Sequence, residues 1–279
     1  MSRVDSSGVE IAVEWHPGPP GLALAMAHAT GFCRGVWDPV IDELRARGVD
    51  DQIVSWDHRG HGESENPPLP IDWWDTARDV LAVLAGADSP TVGVGHSMGA
   101  AALLMAEILA PGTFAAIIAI EPIVFPPPYE PIDHHPLVQS ANRRRPSFPS
   151  REAALENFAS KEVFSGWDRR ALEAYVACGL RADGEQWVLS CPPEYEAATF
   201  AAAPLHGAWD RLGDVTPPVL VVAGRDSDSH PAEFADAQAD RLARGTLEIV
   251  DGSGHFLPME QPGRVAAIIG QVISSIRSS

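Results

Sequence analysis

The stretch VGVGHSMGAAALLM, residues 92–105, constrains the fold more than any other part of the chain. It begins with β-branched residues, passes through the glycines around Ser97, and continues as an alanine- and leucine-rich run. This is the pattern G-x-S-x-G at a point where a strand passes directly into a helix. Such a turn lifts the serine hydroxyl above the sheet edge, and Gly95 and Gly99 keep it free of Cβ clashes. We therefore predict a nucleophile at Ser97, with the N–H of Met98 at the helix N-terminus as an oxyanion donor.

Short apolar runs alternate with amphipathic stretches along most of the chain. This alternation predicts βαβ units and an α/β fold, with a mostly parallel central sheet flanked by helices. The alternating segment 9–15 predicts an antiparallel edge strand. Buried strands are predicted at 22–27, 52–56, 91–95, 115–121, 218–224 and 246–252. Helices are predicted at 36–47, 72–86, 98–110, 231–244 and 262–277.

The alternation stops between residue 122 and about residue 204. The prolines of EPIVFPPPYEPIDHHP exclude regular structure, because each one removes a donor and fixes φ. Helical patterns return at 151–163 and 168–181, with no strongly apolar strand between them. We predict a core domain formed by 1–121 and 205–279, interrupted by a helical lid or cap insertion at 122–204.

Aromatic residues of the insertion supply either its own core or a roof over an apolar acyl or aryl group. These residues are Phe125, Tyr129, Phe148, Phe158, Phe164, Trp167, Tyr175 and Trp187. The basic run at 142–145 is either a solvated segment or a means of steering a carboxylated substrate.

Charge and cysteine content limit the partners and the compartment. The formal net charge of −18 would repel phosphate backbones, which argues against a nucleic-acid partner. The apolar runs are too short to cross a bilayer, and no secretory signal is visible, so we expect a cytoplasmic protein without a membrane partner. Cys33, Cys178 and Cys191 form no paired framework, which suits a reducing compartment.

A serine nucleophile needs a general base, and His255 is the strongest candidate. It lies in DGSGHFLPMEQP, directly after the last predicted strand. The carboxyl ends of parallel strands meet at one edge of a sheet, so His255 is expected on the same edge as Ser97.

Four motifs together resemble the α/β-hydrolase fold superfamily. They are HATGF (28–32), DHRGHGES (57–64), GHSMG (95–99) and GSGHFLPMEQP (252–262). The resemblance implies a small-molecule, ester-type substrate and no cofactor or metal, and it leaves a homodimer open. It also implies a second oxyanion donor after the first buried strand, at Thr30 or alternatively at Phe32. Side chains in DHRGHGES (Arg59, His61 and Ser64) are expected to brace neighbouring loops.

The acid that would orient His255 is less clearly marked. The superfamily usually places an aspartate three residues after the glycine that ends the penultimate strand, and this chain has Ser227 there. A variant pattern, G-x-x-S-D, matches Gly224 to Asp228, so we predict Asp228. The alternatives are Asp226 and Glu121, since some relatives carry the acid after the strand that Glu121 follows.

The nucleophile limits the reaction class. Because relatives that open epoxides or displace halide use an aspartate at the elbow, Ser97 argues against both reactions. We predict a serine hydrolase that cleaves a small carboxylic ester or lactone through an acyl-enzyme. The alternatives are a carbon–carbon bond hydrolase of the diketone type, a thioesterase, an acyltransferase and a non-catalytic hydrolase-fold ligand receptor.

Overall fold

A computed structural model describes residues 1–87 and 89–278 of the chain. An eight-stranded sheet lies at its centre, in the order β1-β2-β4-β3-β5-β6-β10-β11. Strands β1 and β2 are antiparallel to their neighbours, and all the other pairs are parallel. The strands are β1 (Ser2–Ser6), β2 (Val9–His16), β3 (Ala23–Ala27), β4 (Gln52–Trp56), β5 (Thr91–His96), β6 (Ala116–Ile120), β7 (Ser147–Phe148), β8 (Leu180–Asp183), β9 (Gln186–Leu189), β10 (Val219–Gly224) and β11 (Gly245–Val250).

Helices cover both faces of this sheet. Helices α1 and α10 pack on one face, and α2, α3 and α8 pack on the other. Every residue of β3, β5 and β6 is buried as a result, which explains their unbroken apolar sequences. The predicted mostly parallel α/β fold is confirmed. The helices are α1 (Asp38–Ala46), α2 (Trp73–Leu84), α3 (Met98–Leu109), α4 (Pro136–Asn142), α5 (Arg151–Ala159), α6 (Arg169–Cys178), α7 (Pro193–Ala202), α8 (Ala232–Arg241), α9 (Leu257–Glu260) and α10 (Pro262–Arg277).

Local signals set the helix boundaries. The Asp72 side chain accepts a hydrogen bond from the N–H of Trp74 and so caps α2. Pro262 occupies the first turn of α10, where its missing N–H costs nothing. Among the described residues, no helix combines the length and the hydropathy that a membrane span requires.

The insertion lies between β6 and β10 and contains more than helices. Besides α4 to α7, it holds a small antiparallel sheet in the order β7-β9-β8. Its strands have only two to four residues, and most residues of β8 are exposed. No strand was predicted there, because short, polar strands lack an apolar period.

Segment 9–15 forms an antiparallel strand as predicted, but its predicted position at the edge of the sheet is wrong. Residues 2–6 form β1, which pairs with β2 and takes the edge of the sheet. Strand β2 pairs with β4 on its other side.

Two of the cysteines are paired, which also corrects the sequence-based expectation. Cys33 and Cys178 form a disulfide across 145 residues, with their Cα atoms 6.2 Å apart. Cys191 is free and buried. The spacing could not reveal this pair, because the insertion has to fold onto the loop after β3 before the two sulfurs meet.

Candidate active site

Ser97 lies at the junction of β5 and α3 in a conformation that is unfavourable for a residue with a side chain. Its φ is 56° and its ψ is −114°, outside the regions that L-residues ordinarily adopt. The absence of a side chain at Gly99 lets α3 approach β3 closely, because a Cβ there would lie 2.2 Å from the Ala27 carbonyl oxygen. The Ser97 N–H donates to the Ile120 carbonyl (2.9 Å), which anchors the turn to β6. Such stored strain at a buried serine is typical of a functional site.

His255 faces Ser97 from the loop after β11. Its Nε2 lies 3.2 Å from the Ser97 Oγ, within hydrogen-bonding distance. His96, in the serine turn itself, donates from Nε2 to the His255 carbonyl oxygen at 2.8 Å. Burial, followed by the neighbouring His255, lowers the pKa of His96 to about 3, so this donor is a neutral imidazole. The residue before the serine therefore fixes the backbone that carries His255.

Glu121 is the carboxylate that meets His255. Its Oε2 lies 2.5 Å from the His255 Nδ1, and its side chain is completely buried. It follows β6 directly, and it too has a positive φ, 47°. Because Nδ1 faces a carboxylate, the neutral ring carries its proton there and presents the Nε2 lone pair to Ser97.

Several donors hold the Glu121 carboxylate in place. The Gly224 N–H donates to Oε1 at 2.9 Å. Ser227 and Ser229 donate to Oε2 at 2.8 and 3.2 Å, and the Nδ1 of His230 lies 3.3 Å from the same atom. Sequence reasoning did not assign these three residues to the site. The signal that could have found them is a run of hydroxyl and imidazole donors where an aspartate is usual.

These contacts decide the charge of Glu121. Burial is the largest single influence and would raise its pKa. The hydrogen bonds with His230 and His255, and the positive charge of either ring when it is protonated, outweigh burial and hold the pKa well below the ordinary value. Glu121 is therefore an anion at neutral pH.

The structure does not bring Asp228 or Asp226 to His255, although the sequence favoured Asp228. Both residues are exposed, and within the described residues neither side chain has a hydrogen bond to that ring. Ser227 occupies the usual acid position and donates to Glu121 instead. Of the three candidate carboxylates, the one in contact with His255 is that of Glu121.

Two backbone N–H groups near the serine turn are without an acceptor among the described residues, and they belong to residues that contact each other through the Thr30 hydroxyl and the Met98 sulfur at 3.4 Å. One belongs to Met98 at the start of α3 and the other to Thr30 in the loop of residues 28–32, called the oxyanion loop below. In the described parts of the chain neither N–H has a protein acceptor. The N–H of Phe32 donates to the Ala29 carbonyl at 3.2 Å, and that of Gly31 donates to the His61 Nε2 at 2.9 Å. Of the two residues predicted for the second donor, Thr30 has the available N–H.

The residues of DHRGHGES brace this loop and the neighbouring helix. His61 receives the Gly31 N–H, as just described. Arg59 pairs with Asp79 and Asp75 of α2. The Ser64 hydroxyl donates to the Asp57 carbonyl and accepts the Ala12 N–H at 2.8 Å. All of these contacts are structural.

Aromatic rings line the same region. The ring centroids of Phe32, the last residue of the oxyanion loop, and Phe256, directly after His255, lie 5.8 Å apart. Both contact the ring of Trp167, which comes from the insertion, at 5.3 and 5.6 Å. Phe148 and Phe158 are almost completely buried in the insertion's own core. Phe148 and Phe158 therefore pack within the insertion, whereas Trp167 contacts Phe32 and Phe256, and Phe256 lies against the His255 ring at 5.4 Å.

Metal-ligating atoms converge at one place in the described residues. Atoms of Glu121, His230 and His255 lie within 4.8 Å of one another. All three side chains are already hydrogen-bonded. A cation there would take the atoms that orient His255.

Comparisons with known proteins identify the family of this fold. A family model described as "Alpha/beta hydrolase family" matches residues 24–268. The abhydrolase domain-containing protein AKT2 of Alternaria alternata is 26% identical over 220 residues, which cover 66% of this chain and 83% of that protein. Human monoglyceride lipase is 31% identical over 121 residues, which cover 41% of this chain and 39% of the lipase.

Solved structures show the same fold. The peroxisomal alpha-beta-hydrolase Lpx1 of Saccharomyces cerevisiae superposes with a TM-score of 0.80 at 18% identity. The superposition covers 100% of this chain and 91% of Lpx1.

Proposed function

Since the chain belongs to the alpha/beta hydrolase family, we propose that it is a serine hydrolase that cleaves a small carboxylic ester or lactone. Ser97 is the nucleophile, His255 the general base and Glu121 the orienting acid. The observation that carries the proposal is the continuous line from the Ser97 Oγ to the His255 Nε2 at 3.2 Å and from the His255 Nδ1 to the Glu121 Oε2 at 2.5 Å. Glu121 thereby replaces Asp228 as the acid in the proposed triad.

The first half of the reaction transfers the acyl group to Ser97. His255 Nε2 takes the hydroxyl proton as Oγ attacks the carbonyl carbon. The N–H groups of Met98 and Thr30 stabilise the oxyanion that forms. The imidazolium then gives its proton to the departing alkoxide, which leaves as an alcohol. In a lactone this alcohol stays attached to the acyl chain.

The second half releases the acid. Water loses a proton to His255 as it attacks the acyl-enzyme; as the tetrahedral intermediate collapses and the bond to Oγ breaks, the imidazolium gives that proton to the Ser97 Oγ. Glu121 keeps its charge throughout and stabilises the imidazolium in both halves. Its low pKa suits this role, because a neutral carboxyl would not stabilise a cation.

The surroundings of Ser97 favour a small substrate with an apolar acyl group. The Ser97 residue itself is only 5% exposed, so a substrate has to be enclosed. Phe32, Phe256 and Trp167 form an aromatic cluster that reaches the His255 ring through Phe256, and on this proposal it supplies the apolar surface for the acyl group. Insertion 122–204 is on this proposal the lid or cap that covers the site. The ester chemistry of monoglyceride lipase, as its name states it, is consistent with this substrate class.

Covalent labelling tests the proposal. A fluorophosphonate probe phosphorylates an activated serine, so we expect the wild type to be labelled stoichiometrically. Ser97→Ala should abolish labelling, and His255→Ala should slow it by several orders of magnitude. Folded wild-type protein that remains unlabelled would overturn the proposal.

Turnover then separates the substrate classes. A series of p-nitrophenyl esters from acetate to hexanoate should show kcat/KM rising with chain length if the aromatic wall binds the acyl group. A γ-lactone and an acyl thioester assayed beside it would identify a lactonase or a thioesterase. An unchanged kcat/KM along the series would contradict the role of the wall.

A further inference from the structure

Helix α6 of the insertion is fastened to the oxyanion loop and to the residues that follow it. Tyr175 and Cys178 of α6 contact Gly31 and Cys33 respectively. Between these two contacts, the ring of Tyr175 packs edge-on against Phe32 at 5.3 Å. A hydrogen bond, an aromatic contact and a disulfide therefore join one helix to three residues within or just after the loop.

The hydrogen bond is the contact that reaches the proposed oxyanion donor. The Tyr175 hydroxyl donates to the Gly31 carbonyl at 3.3 Å. That carbonyl shares a planar peptide unit with the Phe32 N–H, which donates to the Ala29 carbonyl. The Ala29 carbonyl in turn shares its peptide unit with the N–H of Thr30. Two rigid peptide units thus connect the tyrosine to the donor.

The other side of the loop is held by the core. The Gly31 N–H donates to the buried His61, and the Ala29 carbonyl also receives the Nδ1 of His28 at 2.7 Å. Histidines of the core therefore hold the loop on one side, and Tyr175 of the insertion holds it on the other. Only the contact with Tyr175 depends on the position of the insertion.

An ion pair orients the tyrosine. Arg144 donates from Nη2 to the Tyr175 hydroxyl at 2.5 Å and pairs through Nη1 with Glu196. Because the guanidinium occupies a lone pair of the hydroxyl oxygen, the hydroxyl proton is directed to Gly31. Burial, the largest influence, raises the pKa of Tyr175, so the hydroxyl stays protonated and can donate. A Cβ on Gly31 would lie 2.5 Å from Glu196 Oε1, so glycine is needed for this approach.

We propose that Tyr175 is a positioning residue for the oxyanion hole, so that seating of the insertion and assembly of the hole are coupled. This inference rests on the proposed function and deepens it. The insertion then does more than enclose the substrate: its α6 sets the direction of the Thr30 N–H. The basic run at 142–145 contributes through Arg144, which orients Tyr175 and is neutralised by Glu196.

The test compares Tyr175→Phe with Tyr195→Phe. Tyr195 is also a buried tyrosine of the insertion, but among the described atoms its hydroxyl has no hydrogen-bond partner. Both variants lose one oxygen atom, and only the first loses a contact to the loop. For Tyr175→Phe we expect kcat to fall at least about ten-fold, below the roughly 10²–10³-fold loss that removal of a whole oxyanion donor causes. KM should change less than about three-fold, because the contact acts on the oxyanion and not on substrate binding.

Inhibitor affinities distinguish a positioning role from a purely structural one. A trifluoromethyl ketone forms a tetrahedral adduct with a serine and places an oxyanion in the hole. Its affinity should fall in parallel with kcat in Tyr175→Phe, while the product carboxylic acid should bind as it does to the wild type. If Tyr175→Phe does not fold, Glu196→Gln replaces it, because this variant weakens the ion pair that orients Arg144. It should lower kcat and the affinity for the ketone by a smaller factor and leave binding of the product acid unchanged.

The outcomes separate the two proposals. Suppose that the wild type is labelled and active, but Tyr175→Phe and Tyr195→Phe have the same kcat and the same affinity for the ketone. This result, whether both variants are unchanged or both lose activity equally, would overturn the positioning role alone. Wild type that the fluorophosphonate does not label would overturn the proposed function and the inference together.

Discussion

Replacement of Glu121 by glutamine shows how the acid is expected to act. Glutamine keeps the shape of the side chain, but only one of its two terminal atoms accepts hydrogen bonds. The Gly224 N–H donates to Oε1, so the amide oxygen has to remain on that side. The amide nitrogen then takes the position of Oε2 and faces the His255 Nδ1.

The consequence is the wrong tautomer. The amide donates to Nδ1, so the ring carries its proton on Nε2 and presents an N–H to the Ser97 hydroxyl. It cannot then accept the serine proton. An amide in place of the acid in this arrangement lowers kcat about 10⁴-fold, which corresponds to about 5 kcal/mol of transition-state stabilisation.

The assay is ester turnover and fluorophosphonate labelling of Glu121→Gln, Asp228→Asn and Glu107→Gln. Glu107 is a matched control, because it is also fully buried and accepts the Gly112 and Phe114 N–H groups at 2.7 and 3.1 Å. We expect Glu107→Gln to lower the melting temperature and to leave kcat within two-fold. Asp228→Asn should change neither the melting temperature nor kcat. Retained activity in Glu121→Gln, or a large loss in Asp228→Asn, would refute the assignment of the acid.

Three further predictions concern the pH dependence of stability, the hydrogen bond that holds the His255 backbone, and the packing of α3 on β3. Burial lowers the pKa of His28 and His206 to about 4, below the ordinary 6.5, so the stability that each contributes is complete above pH 6.5 and is lost as the pH falls toward 4. At pH 5 the loss is about 2 kcal/mol for each, and His206→Gln should show a smaller drop in urea midpoint between pH 7 and pH 5 than the wild type. His96→Ala removes the hydrogen bond to the His255 carbonyl, so kcat should fall about ten-fold, in line with the usual value of one such bond. Gly99→Ala would bring a Cβ to 2.2 Å from the Ala27 carbonyl oxygen, so calorimetry should show a loss of about 1–3 kcal/mol or more; a melting temperature and labelling equal to those of the wild type would contradict the close approach.

Much of the fold could be predicted because its signals are local. Periodicity and glycine placement indicated α10 at its observed bounds, Pro262–Arg277, and the position of Ser97 between β5 and α3. The edge strand β1 was missed, because residues 2–6 have a polar sequence and lie against β2 on one side only. The disulfide between Cys33 and Cys178 was missed because it depends on how the insertion folds over the core. Long-range contacts of this kind have no counterpart in sequence spacing.

The carboxylate that meets His255 could not be chosen from the sequence, because the choice depends on the backbone conformation after each strand. Asp226, Asp228 and Glu121 all follow strands that end at the same edge of the sheet. The positive φ of Glu121 directs its side chain toward β10. A glutamate with a positive φ has no clear sequence signature, so the pattern G-x-x-S-D favoured Asp228 over Glu121.

The structure supplies a rule that links the two positions. The end of β10 lies between Glu121 and the His255 loop, because a Cβ on Gly224 would lie 2.3 Å from the Ser253 carbonyl oxygen. An aspartate at 227 would place a second carboxylate in hydrogen-bonding range of Glu121, and two such charges raise the pKa of one of them strongly. Ser227 avoids this repulsion and supplies a donor instead, at 2.8 Å. A glutamate after β6 and a serine at the usual aspartate position are therefore a single coupled choice, and a serine found there in a sequence should direct the search for the acid to the end of β6.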